Sequence, residues 1–231
     1  MIRNETHSFF HFIDENDNRL DYDYYHPIFE ELDELVNTEY FDVLEFRELI
    51  SNIVSGKTPK NKEYIENGVM FLGAGNISEY GLNLDNVDRI DYSLHESTLS
   101  SSQLKEGDIL ITMAGTIGNA TIFNQNLDAN INQAVAKVEI NSELINKEYL
   151  VKYLNSKWGK LNFRKFQHEV SQPNINLEEI KKLKIIVPPL DEQIKLVNMF
   201  QEFEKKAEEY RKLEKQCWKE SFNIFESNLS K

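Results

Sequence analysis

From Leu190 onward, apolar residues recur at Leu190, Ile194, Val197, Phe200, Phe203, Ala207, Tyr210, Leu213 and Cys217, separated by 4, 3, 3, 3, 4, 3, 3 and 4 positions. Threes and fours in that mixture put every member on one stripe of an α-helix. A stripe this long is the seam of helix-on-helix packing, as in a coiled coil. A helix of about 40 residues reaches roughly 60 Å, more than a globular body of this size can cover. It is therefore expected to project and to meet a partner through Ile194, Val197, Phe200, Phe203, Tyr210 and Leu213.

The pattern upstream is different. Between Phe41 and Ile140 short apolar runs alternate with turn residues, and eight of the nine glycines lie there. Val69–Leu72, Asp108–Met113, Ala120–Phe123 and Gln133–Ile140 read as strands. Glu106-Gly107-Asp108 is the turn into one of them and Ala114-Gly115-Thr116 the loop out of it. Helical spacing returns over Asn146–Asn155, continuing to Phe166, and again over Leu177–Lys182. A strand, Leu183–Val187, then runs into Pro188-Pro189, which must end whatever precedes it. Ahead of the β body, Pro27 to Val36 reads as a helix with Pro27 in its first turn and Ile28, Leu32 and Leu35 on one face. The expected fold class is α/β in the α+β sense: a mixed, twisted sheet over residues 1–189, then a long helix over 190–231.

Charge alters this picture by its distribution. The chain carries a net −13, which excludes a protein coated in positive charge but not a local basic face. Residues 1–50 hold fourteen acids against three bases, whereas residues 151–189 hold eight bases against three acids. Glu30, Glu31, Asp33 and Glu34 make either a solvated helix face or a surface for a partner protein. A single cysteine, Cys217, excludes an internal disulfide framework and any multi-cysteine zinc site, and fits a reducing cytoplasm. No apolar run approaches the roughly 18–20 residues of a membrane helix. The N-terminus lacks the basic and apolar regions of a secretory leader.

Several short motifs suggest chemistry and fail on their own requirements. Gly56-Lys57-Thr58 ends like a phosphate-binding loop, but Ser51 stands where that loop needs its first glycine. Phe71-Leu72-Gly73-Ala74-Gly75 matches a methyl-donor cofactor loop. The only Pro-Pro, in Val187-Pro188-Pro189-Leu190, lacks the polar residue before it and the aromatic after it that an adenine methyltransferase uses. His7 and His11 have no third ligand nearby, and Glu179-Ile180-Lys181 lacks the Pro-Asp partner of a metal-dependent nuclease. No catalytic residues, metal or cofactor are expected.

The informative stretch runs from Asn162 to Val197. It holds Phe163-Arg164-Lys165-Phe166-Gln167-His168, Ser171-Gln172-Pro173-Asn174-Ile175-Asn176 and Pro188-Pro189-Leu190-Asp191-Glu192-Gln193. Bases and small amides on loops are the tools of DNA readout: Arg and Lys contact phosphates or guanine, and Asn and Gln pair with adenine.

Taken in order, Ser55-Gly56-Lys57-Thr58-Pro59, Gly75-Asn76-Ile77, Leu104 to Thr112 with Gly115-Thr116-Ile117-Gly118, Asn132-Gln133-Ala134, and Ser171 to Ile175 leading into Pro188–Gln193 resemble the specificity subunit of type I restriction–modification systems. The resemblance covers roughly residues 41–215. It implies a target recognition domain followed by a spacer helix, with one such unit here where typical members carry two. It also implies a non-catalytic, cytoplasmic protein of a bacterium or archaeon that binds double-stranded DNA and guides a methyltransferase subunit and a restriction (translocase and nuclease) subunit. With one unit, the helix is expected to pair with a second copy of the chain. A module that binds only the methyltransferase subunit, as a decoy, is the alternative. Candidate phosphate contacts are Lys57, Lys60, Lys62, Arg164 and Lys165; candidate base contacts are Gln167, His168, Gln172 and Asn174.

Overall fold

The computed structural model describes residues 29–36, 40–59, 64–167 and 173–229. Four strands anchor its centre. β2 (Ile50–Ser55), β10 (Val135–Ile140), β7 (Ile109–Thr112) and β8 (Ala120–Ile122) form an antiparallel sheet in the order β2-β10-β7-β8. Each residue of β7 is buried, as are the first four of β10, which is what strands in the middle of a covered sheet require. A second sheet, β6-β3-β9, pairs β3 (Val69–Leu72) antiparallel with β6 (Asp88–Ile90) and parallel with β9 (Ala129–Ile131). A small hairpin, β4 (Ile77–Ser78) and β5 (Gly81–Leu82), lies between them in sequence. The second sheet is therefore mixed, as expected, while the first is wholly antiparallel.

Helices cover the outer face of the first sheet. α4 (Lys147–Asn155) and α5 (Lys157–Phe166) contribute Leu150, Leu154, Phe163 and Phe166 to the largest core cluster, alongside Ile109, Ile111 and Val138. The single helix expected from Asn146 to Phe166 is in fact two. Ser156 ends α4 and starts α5, its hydroxyl donating to Tyr153 O (2.6 Å) and accepting from Gly159 N (3.3 Å). A hydroxyl able to cap both ends competes with the backbone ladder, and here it turns the chain.

The remaining helices are short: α1 (Glu30–Val36), α2 (Phe46–Leu49), α3 (Tyr92–Glu96) and α6 (Leu177–Lys181). In α1, Leu32 is buried with Phe29 against Leu161 of α5. Pro27 and Ile28, expected to open this helix, lie outside the described residues. α2 buries Phe46 and Leu49 between β1 (Asp42–Glu45) and β2. β11 (Lys184–Val187) pairs antiparallel with β1, Asp42 facing Val187, so the two ends of the body lie side by side. Two tyrosines of α4 hold β11 in place: Tyr149 Oη donates to Ile186 O (3.0 Å) and Tyr153 Oη to Lys184 O (2.9 Å). Burial pushes the Tyr153 hydroxyl up to about 12, so it stays a donor at any physiological pH.

α7 (Leu190–Leu229) leaves directly from β11 as one continuous 40-residue helix. Only Gln193 and Val197 of it are buried. Val197, assigned from the seam to a partner interface, packs into the domain's own core instead. Cys217, on the same seam, is exposed.

Candidate functional site

The strand ends of both sheets bring distant segments of the chain to one edge. β2 and β10 finish and begin there, with Ser55 opposite Ala136, and β7 ends there, with Thr112 opposite Val135. β3 and β9 run parallel and end together at Leu72 and Ile131. The connecting loops are then tied to one another through the backbone. Gly56 N donates to Val135 O (3.2 Å), Asn132 N to Leu72 O (2.9 Å), Met113 N to Ala134 O (2.8 Å) and Ile175 N to Met113 O (3.0 Å). Asn174 forms a β-bridge with Ala114, and Thr58 Oγ1 donates to Gln133 Oε1. Asn132 Oδ1 accepts from Ala134 N (2.9 Å), and Asn76 Oδ1 from Gly73 N (2.9 Å). The motifs around Gly56, Gly73–Asn76, Thr112–Gly118, Asn132–Ala134 and Asn174 thus meet at this edge, whereas Pro188–Gln193 lies at the root of α7.

Two of its turns depend on glycine. Gly56 is buried so closely against the backbone of Ile131 and Asn132 that a Cβ would overlap both carbonyl oxygens. Gly118 has φ +78°, and a Cβ there would lie 2.7 and 2.9 Å from Cγ and Cε2 of Phe163. Only a residue without Cβ fits either position.

The edge presents Lys57, Gly75, Gly115, Thr116, Gln133, Pro173 and Asn174 to solvent. Of the residues expected to contact DNA, Lys57 and Asn174 are thus on it and free of folded-state duties for their exposed ends. Arg164 is exposed on α5, one turn beyond Lys160 on the same helix face. Lys160 Nζ donates to Gly118 O (2.9 Å) and Asn119 Oδ1 (2.6 Å), at the foot of the Met113–Gly118 loop. Partial burial holds the Lys160 ammonium below the usual lysine range. Lys165 faces elsewhere: its Nζ lies 2.7 Å from Asp33 Oδ1, joining α5 to α1. Gln167 is half-buried just past the end of α5, with its backbone N–H bonded to Arg164 O (3.3 Å). Lys60, Lys62, His168 and Gln172 lie outside the described residues. Thr116 and Gln133 are exposed here and were not singled out, although both stand inside motifs that were. Their position between two glycines and between two small residues gave no chemical signal by itself.

Elsewhere the polar interior is satisfied rather than reactive. Fully buried Asn130 accepts from His95 Nδ1 (2.5 Å) and donates to Leu99 O (2.8 Å) and Ser102 Oγ (3.2 Å). Buried Lys137 donates to Gln103 O (3.1 Å) and pairs with Glu139 (3.1 Å). Hydrogen bonding to Lys137 holds the Glu139 carboxyl below the usual range. Among the described residues, no three His, Cys, Asp or Glu side chains gather where a metal ion would sit.

The helix α7 carries the second candidate surface. Ile194, Phe200, Phe203, Tyr210 and Leu213 are between 48% and 71% exposed, and Trp218, Phe222, Ile224 and Phe225 extend the apolar stripe at 60–63%. Its first turns rest on α4 through Lys152, which bridges to Glu204 (2.5 Å) with its ammonium 4.4 Å from the Phe200 ring centroid. Gln201 Nε2 also donates to Glu148 (2.7 Å). Further out, Arg211 lies 5.9 Å from the ring of Tyr80 on the β4–β5 hairpin.

An edge of interlocked polar loops and a long helix with an exposed apolar stripe are thus the two candidate surfaces of the chain. Comparison with known proteins names the family. Residues 41–216 match the type I restriction modification DNA specificity domain, and the chain belongs to that family. It is 22% identical over 189 residues to the EcoBI specificity subunit of Escherichia coli, covering 79% of this chain and 40% of that protein. It is 28% identical over 188 residues to the MjaVIII specificity subunit of Methanocaldococcus jannaschii, covering 78% and 43%. The chain therefore spans about two-fifths of the length of these curated relatives. The HsdS subunit from Thermoanaerobacter tengcongensis has the same fold, with a TM-score of 0.51 at 18% identity over 73% of this chain and 38% of that one. A chain from a type I R-M system structure superimposes with a TM-score of 0.54 at 16% identity, over 78% and 44%. Among the described residues, no helix is long and apolar enough to cross a membrane.

Proposed function

We propose that this chain reads one half of a split double-stranded DNA site as a non-catalytic specificity subunit, working in the cytoplasm. The methyltransferase and restriction subunits would then act where it binds. Residues 1–189 form the recognition unit and residues 190–231 the spacer helix. The observation that carries the reading is the convergence of five separate loop motifs, at Gly56, Gly73–Asn76, Met113–Gly118, Asn132–Ala134 and Asn174, on one exposed polar edge with Lys57 and Asn174 at its surface. Lys57 and Arg164 supply positive charge for phosphates, and Asn174 the amide that pairs with a base edge. Among the described acids of residues 1–50, Asp33 on α1 is paired with Lys165.

Pairing of α7 with a second copy belongs to the same proposal. Each side chain of the stripe contributes roughly 1.5–3 kcal/mol on burial, so several together outweigh the cost of association. Charge selects an antiparallel arrangement: residues 190–209 carry six acids and three bases, residues 210–229 three acids and four bases. Antiparallel pairing sets net −3 against net +1 at both ends, whereas parallel pairing sets like against like. Two-fold symmetry then presents two identical edges to a palindromic site.

The test is fluorescence anisotropy of the purified chain, alone and with its methyltransferase subunit, on a randomised duplex pool and on the motif found by methylome sequencing. Affinity should fall steeply as salt rises, because phosphate contacts release counterions. Absence of salt-sensitive binding in both settings leaves the decoy alternative.

A further inference from the structure

A side chain that is fully buried, polar and uncharged sits at the root of α7. Gln193 is 0% exposed, one turn into a helix that is otherwise solvated on most of its surface. Its amide has three partners, none of them on α7 itself. Oε1 accepts from Asn146 N (2.8 Å), while Nε2 donates to Leu144 O (2.8 Å) and Pro188 O (2.6 Å). One backbone N–H and two backbone carbonyls admit a single orientation of the amide, and no other side chain of similar size supplies one acceptor and two donors in that plane.

These partners come from the two segments that flank the helix root. Asn146 is the N-cap of α4, its side chain accepting from Tyr149 N (3.0 Å), and Leu144 lies in the loop leading to it. Pro188 closes β11. Gln193 therefore joins the sheet, the covering helix and the departing helix at one point.

The other contacts of α7 are of a different kind. Val197 packs in the core, and apolar packing resists separation but has little directional preference. The Lys152–Glu204 bridge and the Gln201–Glu148 bond are largely solvated, with Glu204 44% exposed, and such pairs yield to salt. Hydrogen bonds in a buried site have both direction and a large penalty for being broken.

We propose that Gln193 is the positioning residue that fixes the direction in which α7 leaves the recognition domain. The 36 residues from Gln193 to Leu229 span about 54 Å, so a swing of about 10° at the root moves the far end by about 9 Å. That is nearly three base-pair steps at about 3.4 Å each. On the proposed function, which this inference extends, Gln193 thereby sets the separation between two half-sites held on paired helices.

The test needs neither DNA nor a partner subunit, so its outcome is independent of the functional reading. Cys217 is the only cysteine of the chain and is exposed on α7, which makes it a ready labelling site. With a second cysteine at exposed Asn86, on the turn between β5 and β6, pulsed electron paramagnetic resonance measures the distance from domain to helix. Labelled chain is diluted into unlabelled Cys217→Ser chain so that only distances within one copy are read. The native chain should give one narrow distribution. Gln193→Met keeps the length and removes all three hydrogen bonds, and it should broaden the distribution about twofold or more. Lys152→Met removes the solvated bridge and should leave the width unchanged. Gln193→Glu, which keeps the acceptor for Asn146 but loses both donors, should broaden it too and serves if the methionine variant does not fold. A Gln193→Met distribution that superimposes on the native one, even with a lowered melting temperature, reduces Gln193 to a stabilising residue and overturns the proposal.

Discussion

Replacing Gly56 by alanine tests whether the loop edge is held by backbone approach rather than by side chains. The added methyl would overlap the carbonyl oxygens of Ile131 and Asn132, far inside the roughly 3.5 Å at which non-bonded heavy atoms rest. Both neighbours are backbone at the end of β9, so relief requires the two segments to part by more than an ångström. Overpacking of this kind costs about 1–3 kcal/mol. The Gly56 N to Val135 O hydrogen bond is lost with it, adding about 1 kcal/mol. The sum is about 2–4 kcal/mol. With a urea dependence of about 2 kcal/mol per molar, the unfolding midpoint should fall by about 1–2 M. Gly75→Ala is the matched control, because a Cβ there meets nothing within 4 Å on the same edge. It should shift stability by no more than about 0.5 kcal/mol. Chemical denaturation followed by tryptophan fluorescence measures both. Equal midpoints for the two variants would refute the close-approach argument, whatever happens to DNA binding.

Other consequences are open to measurement. Lys57→Ala should weaken binding similarly on every duplex and reduce the salt slope by about one counterion, whereas Asn174→Ala should cost about 1–3 kcal/mol of discrimination at a single base pair; a uniform loss from Asn174→Ala would move it to the phosphate class. Burial pushes the Asp108 carboxyl above its usual range, partly offset by the hydrogen bond from Lys105 N. The folded state thus favours the protonated form, so the stability cost is present in full above the raised folded pKa and fades as pH falls through it to the unfolded value. Asp108→Asn should therefore be more stable than the native chain at neutral pH and lose that advantage in acid; urea midpoints across pH would show the reverse if the carboxylate were stabilising. Phe203→Glu with Leu213→Glu places two charges on the exposed stripe without touching the core. Sedimentation should report a dimer for the native chain and a monomer for the variant; a native monomer at tens of micromolar ends the self-pairing proposal.

How much of this was legible depended on how far each element speaks through its own periodicity. Ile109–Thr112 opens with three consecutive apolar residues, and Val135–Ile140 has apolar residues at four of its six positions, and both are legible as strands. β9 was missed because it is three residues long with Asn130 at its centre, and its place is set by parallel pairing with β3 and by the His95–Asn130 contact rather than by propensity. β1 and β2 were passed over since each alternates weakly and α2 interrupts them with a buried Phe46. The break at Ser156 has a signal in the sequence, a capping hydroxyl followed three positions later by Gly159; the turn brings the carbonyls of Tyr153 and Leu154 so close to Gly159 that a Cβ would collide with both. On the site, Lys57 and Asn174 were identifiable by type and motif. Lys165 has the same chemistry as Lys57, and only the fold places Asp33, 132 positions away in the chain, against it. Val197 matched the seam by spacing, yet a seam does not say which of its members the chain's own core will claim.

The pairing of β1 with β11 has a consequence for inheritance. With Asp42 opposite Val187, the segment 42–187 begins and ends at neighbouring points joined by main-chain hydrogen bonds. A segment whose two ends already touch can be excised, replaced or duplicated within a longer polypeptide without altering the separation of what flanks it, and the loop-closure entropy of the host is almost unchanged. Genetic exchange at two short homologous stretches, one before β1 and one after β11, would then substitute one reading edge for another while leaving the helical scaffold in register. On the proposed function, new DNA specificity would then arise by recombination between cassettes rather than by stepwise mutation at the edge.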